Sequence, residues 1–147
     1  MSGASDVTMA GIEAPGGELV LGVSGASKLR GDAAGRELTI AVSGASEMEA
    51  DAAAIGLSID LSGASRLTLD GAARSVTIAA AGASRLHLEG LQAETMEIEL
   101  SGASSAHVAV SETLGPARLS GASSLRYSGD PALREIHTSG ASTVAPR

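Results

Sequence analysis

The 147-residue chain sets 17 Asp and Glu against 10 Lys and Arg, a net charge of −7, which argues against nucleic-acid binding and against a polybasic membrane contact, both of which need a dense cationic surface. It contains no cysteine, so neither disulfides nor thiolate chemistry are open to it. With one Tyr and no Phe or Trp, the core must be built from Leu, Ile, Val, Ala and Met, and no apolar run reaches the roughly 18 residues of a transmembrane segment.

The tetrapeptide Ser-Gly-Ala-Ser starts at Ser2, Ser24, Ser43, Ser62, Ser101, Ser120 and Ser139, and the near-copy Ala-Gly-Ala-Ser starts at Ala81. Successive starts are 22, 19, 19, 19, 20, 19 and 19 residues apart. A short fixed period is the mark of stacked repeats, each unable to bury its apolar face alone. Residues 1–147 are therefore read as one repeat domain. The first residues, Met1 followed directly by a motif, show no signal-peptide pattern.

Counting each motif's first residue as position 1, position 6 runs Val7, Leu29, Met48, Leu67, Leu86, Ala106, Leu125, Val144. Position 17, with small insertions allowed, runs Leu21, Ile40, Ile59, Ile78, Ile98, Ala117, Ile136. Apolar residues two apart predict strands with one buried face, and helical spacing is missing. Each coil then has two short strands, such as 38–42 before a motif and 66–69 after one. The motif forms the corner between them.

Two strands cannot close on themselves, so each must pair in parallel with its equivalent one coil away. The predicted fold is all-β: a single-stranded parallel β-helix, or solenoid, of about seven coils of 19–20 residues. A right-handed coil is expected, since β-crossovers strongly favour that hand.

Corner position 2 is Gly3, Gly25, Gly44, Gly63, Gly82, Gly102, Gly121 and Gly140, where a tight bend and a close neighbouring coil call for glycine. Position 4 is Ser5, Ser27, Ser46, Ser65, Ser84, Ser104, Ser123 and Ser142, in the inward phase, where hydroxyls are expected to hydrogen-bond along the stack. No His or Asp recurs beside these serines, so a catalytic serine is not expected.

The repeated Ser-Gly-Ala-Ser between two alternating strands, the stretch from Ser120 to Pro131 and the closing Thr138 to Ser142 resemble the head GIN domain of auto-transporter adhesins, the DUF2807 family. The resemblance covers essentially the whole chain. It implies a right-handed β-helix of pectin-lyase-like shape, an extracytoplasmic place in the cell envelope or on the cell surface, and a role in adhesion. It supplies no catalytic residues and no cofactor.

Among outward positions, Asp32, Asp51, Asp70 and Glu89 share position 9 on four successive coils, a column that could attract a hard cation or simply form a solvated acidic edge beside Lys28, Arg30, Arg66 and Arg85. His87 and His107 share position 7, where two imidazoles could meet a metal but no third ligand is evident. Thr39, Ser58 and Thr77 make a short hydroxyl column that ends at Glu97. No metal site and no cofactor are assigned.

The expected function is therefore non-enzymatic: adhesion or scaffolding, with a glycan or protein ligand at the surface. A rival is self-association of uncapped coil ends into filaments. A carbohydrate-active enzyme of pectin-lyase-like shape is a weaker third reading, because coils this short leave no loops to wall a cleft.

Overall fold

The computed structural model describes Ala4 and residues 6–146. Ser2, Gly3 and Ser5 of the first motif lie outside the described residues. Strand β1 (Asp6–Val23) is followed by β2 (Lys28–Val42), β3 (Glu47–Leu61), β4 (Arg66–Ala80), β5 (Arg85–Leu100) and β6 (Ser105–Leu119). Four short strands close the chain: β7 (Ser124–Ser128), β8 (Ala132–Leu133), β9 (Ile136–Thr138) and β10 (Thr143–Pro146). All of them join one parallel sheet in the order β1-β2-β3-β4-β5-β6-β7-β10, with β8 and β9 also pairing with β6. The result is an all-β solenoid of about seven turns, with no helix among the described residues.

The apolar columns predicted by counting are in register. Val7, Leu29, Met48, Leu67, Leu86, Ala106, Leu125 and Val144 stack one on the next. Leu21, Ile40, Ile59, Ile78, Ile98, Ala117 and Ile136 do the same. Both columns belong to one continuous core whose inner members are almost wholly shielded from solvent. Each fully buried Leu or Ile contributes about 1.5–3 kcal/mol, and no fully buried side chain is larger than methionine.

The two arms expected of each coil are joined rather than separate. Each of β2 to β6 runs unbroken for 15 or 16 residues. In β4 the buried residues are Leu67, Leu69, Ala73, Val76, Ile78 and Ala80, so the alternation changes phase across the adjacent exposed residues Arg74 and Ser75. The chain bends there, yet neighbouring coils bend at the same registered positions. Ladder hydrogen bonds therefore persist through the bend, and the strand is not interrupted.

The corners carry the ladder too. The N–H of Ala45 donates to the carbonyl of Gly25, that of Ala64 to Gly44 and that of Ala83 to Gly63, each at 2.9 Å. The glycines Gly25, Gly44, Gly63, Gly82, Gly102, Gly121 and Gly140 all take φ between 70° and 83°, the left-handed region that glycine enters without a steric penalty.

The corner serines are buried as expected from Ser27 to Ser123, but their bonds point differently. The hydroxyls of Ser46, Ser65 and Ser123 donate back across their own corner, to the carbonyls of Ser43, Ser62 and Ser120 at 2.8 Å. Ser27, Ser84, Ser104 and Ser142 do the same within 2.8–2.9 Å. Contacts along the stack are longer, from 3.1 Å for Ser46 to the Gly25 carbonyl to 3.4 Å for Ser84 to that of Gly63. A hydroxyl has one proton, and the nearer carbonyl of its own turn takes the larger share.

Insertions are absorbed as bulges. The three extra residues of the 22-residue first spacing enter β1 between Met9 and Ile12 and between Ala14 and Glu18. The extra residue of the 20-residue spacing enters β5 after Leu88, where Asp70 pairs with Gly90.

Candidate functional site

Asp32, Asp51 and Asp70 stand in register on β2, β3 and β4, all exposed. Glu89 departs from that column: the bulge in β5 puts Gly90 opposite Asp70. The Asp70 carboxylate leans over Gly90, into the space a Cβ there would need. Glu89 instead turns to the next coil, where its Oε1 lies 3.0 Å from Nδ1 of His107. Counting does not place a one-residue insertion, and the bulge takes Glu89 out of the column expected from position 9. Among the described residues no three His, Asp or Glu side chains converge on a point that could hold a metal ion.

Beside the aspartates runs a trough that the sequence reading missed. Its floor is the registered set Ala34, Ala53, Ala72, Gln92 and Ala109, next to Gly35, Ala54, Ala73, Ala93 and Val110. Arg36, Ile55, Arg74 and Glu94 form the far rim, where Arg74 Nε and Glu94 Oε2 are 3.4 Å apart. Toward the β1 end a shallow recess of about 500 Å3 lies between Glu13, Gly16, Arg36 and Ile55, with an alanine and glycine floor. The signal was present in Ala33-Ala34-Gly35, Ala52-Ala53-Ala54 and Gly71-Ala72-Ala73 at one phase of three successive coils. Small side chains at a bend let the backbone dip toward the core.

Two further faces flank the corners. On one, Val20, Thr39, Ser58, Thr77 and Glu97 form a column beside Gly22, Ala41, Asp60, Ala79, Glu99 and Arg118. These side chains are short and mostly uncharged over the first four coils, and Val20 is 61% exposed. On the other face opposite charges meet between β2 and β3. Lys28 Nζ meets Glu47 Oε2 at 3.3 Å, and Arg30 Nε meets Glu49 Oε2 at 3.5 Å. Such solvent-exposed pairs contribute at most about 1 kcal/mol each. They set surface pattern more than stability.

The corner serines Ser27 to Ser123 are buried, with their protons committed to carbonyls. In that setting they serve the turn.

A family model described as "Putative auto-transporter adhesin, head GIN domain" matches residues 2–131. No curated protein matches the chain. Among solved structures, the chain resembles a crystal structure described as "Putative lipid binding protein" from Parabacteroides distasonis, with a TM-score of 0.81 and 19% sequence identity. The match takes in 99% of this chain and 59% of the other, so the present chain spans less than two thirds of that protein's length. At that identity the likeness concerns the fold.

Proposed function

The chain belongs to the auto-transporter adhesin head GIN domain family, and on that premise we propose that it is a non-enzymatic, extracytoplasmic solenoid that binds a surface glycan or protein through its flat faces. The observation that supports this is the exact-register column Val20–Thr39–Ser58–Thr77 beside Gly22–Ala41–Asp60–Ala79. It offers short side chains, hydroxyl-bearing at Thr39, Ser58 and Thr77, on successive coils about 4.8 Å apart. An extended partner can engage several such contacts together, and weak individual contacts then add through effective concentration.

Glycan arrays and pull-downs with the wild-type chain test it, alongside a variant carrying Thr39→Arg and Thr77→Arg. Binding that this pair of substitutions abolishes supports the reading. Uniformly negative binding counts against it. Cleavage of acidic polysaccharides that disappears with Asp51→Asn or Asp70→Asn would replace it with an enzymatic one.

A second reading rests on the trough. Its floor is apolar, Ile55 is 50% exposed on its rim, and the solved structure of the same fold carries a lipid-binding description. An acyl chain could lie along Ala34, Ala53 and Ala54. Binding of a fluorescent fatty acid by the wild-type chain but not by Ile55→Asp would favour it. Equal binding by both would remove it.

A further inference from the structure

Strands β5 and β6 run in register through Leu86↔Ala106, His87↔His107 and Leu88↔Val108. Leu86, Ala106, Leu88 and Val108 are buried. Alternation therefore sends both histidines to one outer face, side by side on neighbouring coils. Their ring centroids are 5.8 Å apart and the planes are tilted by 44°. A metal held about 2.1 Å from one ring nitrogen lies about 3.3 Å from that ring's centre, so two rings sharing an ion can be up to roughly 6.6 Å apart. The observed separation falls inside that limit.

The bulge after Leu88 adds a third participant. Glu89 Oε1 lies 3.0 Å from His107 Nδ1. An ionised carboxylate only accepts, so this contact places a proton on Nδ1, and the tautomer it selects has its lone pair on Nε2. Metal-binding histidines are normally oriented in this way, by a carboxylate on the nitrogen that does not touch the metal. From this geometry we infer that His87 and His107 hold one divalent transition-metal cation of borderline softness, such as Zn2+ or Ni2+, with Glu89 as the positioning residue.

Imidazole suits such cations, whereas Mg2+ and Ca2+ prefer oxygen ligands. Water completes the coordination, because the site is open on the solvent side. Arg126, the registered neighbour of His107 on the next coil, and Arg85, two residues before His87, oppose a cation. The Glu89 carboxylate offsets part of that opposition. The ion would clip two coils together beside the register break between Leu88 and Gln92.

The test uses the full chain at neutral pH in a non-chelating buffer. Calorimetry with Zn2+ is expected to give one site per chain. His87→Gln and His107→Gln should each weaken it at least tenfold, and Glu89→Gln by about tenfold, the usual effect of removing such an outer partner. On the unmodified chain, Ni2+ should broaden the ring-proton NMR signals of His87 and His107 before those of His137, the third histidine of the sequence. Ca2+ should leave all three unchanged. Absence of Zn2+ binding, binding that survives both histidine substitutions, equal broadening at His137, or loss on Asp51→Asn instead would each overturn the assignment.

Discussion

The carbonyl oxygen of Gly44 stands 2.6 Å from the point where a Cβ on Gly63 would lie. The same close approach recurs at the next corner, with Gly63 facing Gly82 at 2.6 Å. The corner glycine thus answers two demands together: a left-handed backbone, with φ of 76° at Gly63, and backbone-to-backbone contact with the coil below. Either demand alone disfavours a side chain; together they make the motif a spacer that sets how closely coils stack.

Gly63→Ala is accordingly expected to destabilise the fold by at least about 2 kcal/mol, combining the left-handed penalty with displacement of a backbone carbonyl. Gly22 is the control, because it has open space around its would-be Cβ and no positive φ. Gly22→Ala should be neutral or stabilising by up to about 0.5 kcal/mol, since alanine narrows the unfolded ensemble. Urea unfolding of the two variants in parallel decides; equal losses would show that corner geometry is not what matters.

The hydroxyl of Ser65 is buried and donates to the Ser62 carbonyl at 2.8 Å. Ser65→Ala should lower stability by about 1 kcal/mol, the net value of such a bond. Ser65→Val should cost more, because it loses the bond and adds volume to a close-packed corner. The order Ser, Ala, Val in denaturation midpoint is the measurable outcome. A valine variant more stable than the alanine one would mean the corner is loosely packed.

Much of this architecture was legible because the period is short and the corner motif unmistakable. Leu67 and Leu86 stack because nineteen residues separate them, and the buried phase of Ser65 follows from Leu67 two residues on. Three things were not legible, each for a physical reason. A bend repeated in register keeps its ladder bonds, so β4 passes through Gly71, with φ of 117°, and then through Arg74 and Ser75 without ending. A one-residue insertion can sit anywhere between two motifs, so Glu89 moved from the aspartate column to His107. A hydroxyl with two carbonyls in reach chooses by distance, which only coordinates reveal.

Asp51 lies between Asp32 and Asp70 in register, all three exposed. Like charges directly opposite on neighbouring strands destabilise, by about 0.2–1 kcal/mol at close range. Asp51→Asn removes both repulsive contacts and should raise the thermal midpoint at low ionic strength. The gain should fade as salt shortens the screening length toward the roughly 4.8 Å between strands. A salt-independent effect, or a loss of stability, would mean that the column is held together by something beyond mutual charge.

The final prediction concerns position along the stack. Leu67 is fully buried and has Met48 below it and Leu86 above. Leu67→Ala removes contacts with both neighbours and leaves a cavity that regular, ladder-bonded coils cannot collapse to fill, so a loss of about 2–5 kcal/mol is expected. Val144, the last member of the same column, has Leu125 on one side and is partly exposed. Val144→Ala should therefore cost less than about 1 kcal/mol, the range of small truncations at sites open to water. In a repeat array each coil is stabilised only through its neighbours. Leu67→Ala should also split the denaturation profile or lower its slope, by uncoupling the coils on either side, whereas Val144→Ala leaves one transition. If the two substitutions cost the same, nearest-neighbour stacking of the Leu67 column would not be what holds the rod together.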